Sequence, residues 1–76
     1  MPRLPSLRPE DVVRVALRLG FLLDRQKGSH AIYLDSEHRR RLVVPMHKKM
    51  LKRGTLRGLI SDLGISVEDF LGLLRR

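Results

Sequence analysis

Residues 21–45 read FLLDRQKGSHAIYLDSEHRRRLVVP, and this stretch decides the fold. At its centre, Lys27-Gly28-Ser29-His30 is a turn signal set between two strand-like runs. Phe21 to Lys27 opens apolar and closes polar, which suits a strand. His30 to Asp35 carries the β-branched and aromatic residues of a second strand. Ser36 to Arg39 makes a polar connection, and Arg41 to Val44, closed by Pro45, makes a third strand. Three short strands with tight links predict an antiparallel meander. Alternation leaves the face of His30 open. It shares parity with Ile32 and Leu34, yet Ala31 and Tyr33 on the other parity are hardly polar either.

Helical signals flank the meander. Met1 to Arg8, with Pro2 and Pro5, is an irregular lead-in. Pro9 suits a first helical position, and Glu10 and Asp11 suit the positive end of a helix dipole. Val12, Val13, Ala16, Leu17 and Leu19 form the expected apolar face, with Arg14 and Arg18 outside it, and Gly20 stops the helix. Beyond the strands, Met46 to Arg53 reads as a basic loop. Thr55 is the expected N-cap of a second helix whose stripe is Leu56, Leu59, Ile60 and Leu63, ended by Gly64. Ser66, with Asp69 three residues on, opens a last helix striped by Val67, Phe70, Leu71 and Leu74. The expected architecture is α+β: α-β-β-β-α with an extra short C-terminal helix, the helices on one face of a three-stranded antiparallel sheet. Residues 1–76 are expected to form one domain, with 1–8 as its lead-in.

Composition narrows the chemistry. The chain has 16 Lys and Arg against 8 Asp and Glu, a formal net charge of +8 over 76 residues. Such an excess points to polyanionic partners. A domain of this size has one modest core and no deep cavity. It has no apolar run of membrane-spanning length and no secretory leader pattern, so a soluble cytoplasmic protein is expected. Without cysteine, thiolate zinc sites, disulfides and cysteine nucleophiles are excluded. No metal site and no small-molecule cofactor is expected, since Asp35, Glu37 and His38 follow no recognised ligand spacing. Phe21, Tyr33 and Phe70 are the only aromatics and read as core, so phosphate and shape contacts should dominate any nucleic-acid binding.

Acid–base chemistry by histidine remains, because an imidazole exchanges protons near neutral pH. His30, beside the glycine turn, is the first candidate, against the plainer reading of a strand-edge histidine without chemistry. His47 is a possible second proton-transfer group, against a solvated loop residue. His38, in a polar turn, reads as bland. Lys48, Lys49, Lys52 and Arg53 precede a helix N-terminus whose free N–H groups favour phosphate, though such a run is also ordinary solvated charge. Arg39, Arg40 and Arg41 read as turn and edge-strand charge that discourages aggregation.

Four segments, taken in order, carry a resemblance: Leu17 to Phe21, Lys27 to His30, Val43 to His47, and Leu51 to Leu56 with Gly64 to Phe70 behind it. With these the chain resembles the HicA family of toxins from HicA–HicB toxin–antitoxin pairs, over residues 4 to 70 or so. The resemblance implies a double-stranded-RNA-binding-domain-like fold and a metal-independent endoribonuclease that cleaves mRNA. It also implies a HicB-like antitoxin that covers the active site, and it makes His30 the catalytic residue. Lys27, Gly28 and Ser29 would then lie near the scissile phosphate, with Lys48, Lys49, Lys52, Arg53 and Thr55 on the RNA. Ala31 and Leu34 depart from positions that are commonly polar in the family. Two other readings stay open: a non-catalytic double-stranded-RNA-binding module of the same fold, and a basic face that only docks an acidic protein.

Overall fold

The structure, a computed structural model, describes residues 3–35, 37 and 39–76; Ser36 and His38 of the second strand connection lie outside them. Its elements are α1 (Pro9–Arg18), β1 (Leu22–Lys27), β2 (His30–Asp35), β3 (Arg40–Pro45), α2 (Arg53–Leu63) and α3 (Val67–Leu74). The strands form one antiparallel sheet in the order β1-β2-β3. This is the expected double-stranded-RNA-binding-like α+β fold.

The meander follows from its turn. Gly28 has φ +60 while Ser29 stays at negative φ, the pattern of a type II′ hairpin, whose first central position favours glycine. The turn sets Lys27 opposite His30, and β2 then sets His30 opposite Pro45 on β3. Pro45 lacks a ladder N–H, which an edge strand tolerates. The register of β1 against β2 shifts between Leu23 and Arg25, placing a bulge at Asp24.

Register also separates the two faces of the sheet, because directly paired residues point the same way. Ala31, Tyr33, Leu42 and Val44 belong to the core shared with the helices. His30, Ile32 and Leu34 take the opposite, open face, and Ile32, though buried, stands outside that core cluster. The helix layer packs mainly over β3. Strand β1 is left exposed along all six residues.

The helices correct the expected faces in two places. In α1 the buried residues are Pro9, Val12, Val15 and Ala16, while Leu17 is half exposed. A 3.6-residue period that buries Val12 and Ala16 turns position 17 away from the core. In α2 the helix begins at Arg53 with Lys52 as N-cap, so Thr55 lies within the first turn and is not the cap. The cause is upstream. Buried Leu51 donates its N–H to the Leu7 carbonyl at 2.7 Å, which fixes the chain direction early, and the Lys52 carbonyl accepts from the Leu56 N–H at 2.9 Å. The stripe of Leu56, Leu59, Ile60 and Leu63 is buried as expected, and Gly64 ends the helix at φ +78. Ser66 Oγ accepts from the Asp69 N–H at 3.1 Å and caps α3.

Two long-range ties close the molecule. Residues 3–8 are irregular in backbone, yet Leu4 and Leu7 are buried in the core. Arg18 of α1 donates to the carbonyls of Leu73 and Leu74, and to that of Arg76 at 2.6 Å, tying the end of α3 and the residues after it to α1.

Candidate functional site

Nine residues tile the open face in three rows across the strands: Lys27–His30–Pro45, then Arg25–Ile32–Val43, then Leu22–Leu34–Arg41. His30 is exposed at the turn end of this face, with the ammonium-bearing Lys27 directly beside it. The antiparallel order brings the exit of β3 to the same end. There the Met46 N–H donates to the Ser29 carbonyl at 2.6 Å, pinning the loop after β3 to the hairpin turn. His47 follows at once and is exposed. Its Nδ1 accepts from the Lys49 N–H at 3.2 Å, which leaves Nε2 as the ring nitrogen outside that bond. Lys27, Gly28, Ser29, His30, His47, Lys48 and Lys49 thus gather at one end of the sheet.

Lys52, Arg53 and Thr55 form a second group at the entry to α2, beyond the anchored Leu51. All three are exposed. The α2 N-cap has no side-chain acceptor and the first turn has no acidic residue, so backbone N–H groups and two cations share that end. The basic segment is thus a loop over residues 46–52, interrupted by the buried Leu51, that runs into α2 at Arg53.

One residue of this region carries no local sequence signal. Arg8, at the end of the lead-in, donates from its guanidinium to the Lys48 carbonyl at 3.4 Å, across 40 residues of chain. Its own N–H bonds the Asp11 carboxylate at 2.9 Å, and Asp11 also pairs with Arg14 at 3.4 Å. Only the docking of α1 against the loop could reveal it. The run Arg39–Arg41 is divided instead: Arg40 pairs with Asp35 on the helix side, Arg41 with Leu34 on the open face, and Arg39 sits in the turn at φ 56.

The site is an open surface. Depressions of about 410 and 280 Å³ lie by α1 and α3 and by the end of α2, and His30 lines neither. An exposed imidazole among cations on a strand surface suits a polymer passing over it better than an enclosed small molecule. Among the described residues, no group of three or more His, Asp or Glu is placed to hold a metal ion, and His38 lies outside them. Among them too, no helix is long and apolar enough to cross a membrane.

Comparison with known proteins completes the description. The family model described as HicA toxin of bacterial toxin-antitoxin matches residues 9–65 of the 76. No curated protein matches the chain.

Proposed function

Because the chain belongs to the HicA toxin family of bacterial toxin–antitoxin systems, we propose that it is a cytoplasmic endoribonuclease that cleaves mRNA without a metal, His30 moving the proton. The observation that carries this reading is an exposed His30 flanked by Lys27 on the uncovered face of the sheet. His30 takes the proton from a ribose 2′-OH, the resulting oxyanion attacks the adjacent phosphorus, and the bond to the 5′-oxygen breaks. An acid protonates that leaving oxygen, and the product ends in a 2′,3′-cyclic phosphate. Such proton transfer supplies about 10²–10⁴-fold.

Charge on the phosphoryl oxygens is met by Lys27 and by the backbone of Gly28 and Ser29. Lys48 and Lys49 hold phosphate on one side, and Lys52, Arg53 and Thr55 at the α2 entry hold it on the other. His47 is the candidate for the second proton-transfer group, since its loop is tied to the turn that carries His30. The inhibitory partner is a HicB-like antitoxin, and charge complementarity with this basic chain speeds its association.

The test is incubation of the protein and of His30→Ala with end-labelled RNA in EDTA. Cleavage by the wild type alone, leaving cyclic phosphate ends, with RNA affinity retained by the variant, is the expected result. Equal cleavage by both proteins removes His30 from the chemistry. Binding of double-stranded RNA without cleavage by either protein leaves the non-catalytic module as the function.

A further inference from the structure

In the row of the open face farthest from the turn, two of the three residues, Leu22 and Leu34, are aliphatic and the third is Arg41. Leu22 and Leu34 pair directly across β1 and β2, yet they are 69% and 39% exposed. A lone exposed leucine means little. These two, however, border the buried Ile32 and the half-buried Val43 on a face that lies, among the described residues, outside the helix-packed core, so the leucine pair is an exposed apolar surface with apolar neighbours beneath it. Aliphatic side chains offer nothing to phosphate or ribose, so the leucine pair itself has no use in holding RNA.

We propose that Leu22 and Leu34 are the anchor on which an acidic protein partner docks, its apolar side chains seated on that pair and its carboxylates meeting Arg25 and Arg41. The charge of the face selects this occupant. Arg25, Lys27 and Arg41 are the formal charges among its nine residues, all positive, on a chain of net charge +8. A second copy of the chain would bring like charges together. For the existence of a partner the proposal rests on the toxin reading above.

The geometry has a consequence for inhibition. His30 and Leu34 are four residues apart on one strand and one face, about 13 Å. A standard interface covers about 800 Å² per partner, a patch roughly 30 Å across. A protein anchored on the leucine pair therefore covers His30 without needing any contact with it. Docking and RNA chemistry occupy opposite ends of one surface and are separable by mutation.

The experiment titrates the full chain with a purified HicB-type antitoxin encoded in the same genome. It compares the wild type with Leu22→Asp/Leu34→Asp and with the charge reversal Arg25→Glu/Arg41→Glu. Thermal melts check folding, RNA cleavage in EDTA is followed in parallel, and sedimentation reports the oligomeric state. The leucine variant is expected to bind antitoxin about a hundredfold more weakly while cleaving RNA at the wild-type rate. The charge reversal, which leaves the aliphatic pair intact, is expected to weaken binding and to slow association. Loss of antitoxin binding in a variant that cleaves normally supports the docking site. The same loss in a chain whose wild type cleaves no RNA supports it while removing the ribonuclease reading. Wild-type antitoxin affinity in the leucine variant overturns the proposal, as does a wild type that binds no antitoxin. Impaired cleavage in the folded leucine variant overturns it in favour of RNA on this row. A wild-type dimer made monomeric by the leucine change overturns it in favour of a second copy.

Discussion

The backbone N–H of Met46 reaches the carbonyl of Ser29 at 2.6 Å, so the loop that carries His47 hangs from the turn that presents His30. Pro45 already prepares an extended entry to position 46, and Met46→Pro removes this one donor. The expected effect is about 1 kcal/mol of stability and at least a tenfold slower cleavage, because the two imidazole-bearing segments lose their fixed relation. Met46→Leu keeps the N–H and should behave as wild type. Urea unfolding and cleavage rates in EDTA decide it, and wild-type turnover by Met46→Pro would show that the tie plays no part.

Gly28 offers a test free of packing effects, because a Cβ added there meets nothing within 4 Å. Any penalty must come from its φ of +60. Gly28→Val and Gly28→Asn should each lose about 1–2 kcal/mol, since the first central position of a type II′ turn lies outside the left-handed helical region that asparagine tolerates. Chemical denaturation of both variants should return similar losses, and a much smaller loss for asparagine would replace the type II′ turn with one whose first central residue is in the left-handed helical region.

At Gly64 backbone and packing act together. A Cβ there would lie 2.6 Å from the guanidinium carbon of Arg40, in a residue at φ +78. That guanidinium also brings positive charge to the C-terminal end of α2, whose own last turn has no basic residue. Gly64→Ala is expected to cost about 1–3 kcal/mol. The loss should shrink once Arg40→Ala has cleared the space. A double-mutant cycle measures the coupling, and a value of zero would mean the guanidinium simply swings aside.

Lys48 and Lys49 are proposed to hold phosphate. Each contact with single-stranded RNA contributes about 0.7 to the slope of log affinity against log salt concentration. Lys48→Ala/Lys49→Ala should therefore lower that slope by roughly 1.4. The fold should survive, since the bond from the Lys49 N–H to His47 uses only backbone on the lysine side. An unchanged slope would make the pair ordinary solvated charge.

The legible parts of this molecule are those whose causes are local. Gly28-Ser29 announces its turn because only a few residue types reach that φ cheaply, and Ser66 and Gly64 mark helix ends for equally local reasons. The side of the sheet taken by His30 was illegible, because Ile32 and Leu34 compete with Ala31 and Tyr33 for the core and helix packing decides between them. Thr55 looked like a cap until the bond between Leu51 and Leu7 started the helix earlier, a weak local preference overruled by tertiary contact. Arg8 beside Lys48 depends on a contact across 40 residues, and no spacing rule reaches that far.

The hold of Arg18 on the carbonyls of α3 has a temporal meaning. It joins residues 55 to 58 positions apart, whereas every strand pair in the sheet is between neighbours in the chain. Local pairings close small loops and form early, while a contact of that span waits on slow chain closure. The meander, with its presented histidine, should thus organise first and α3 should dock last. Native-state hydrogen exchange should find α3 amides opening before those of β2, and Arg18→Ala should widen the gap. If so, the surface proposed to meet RNA matures ahead of the helix that seals the fold, and fraying of α3 leaves that surface standing.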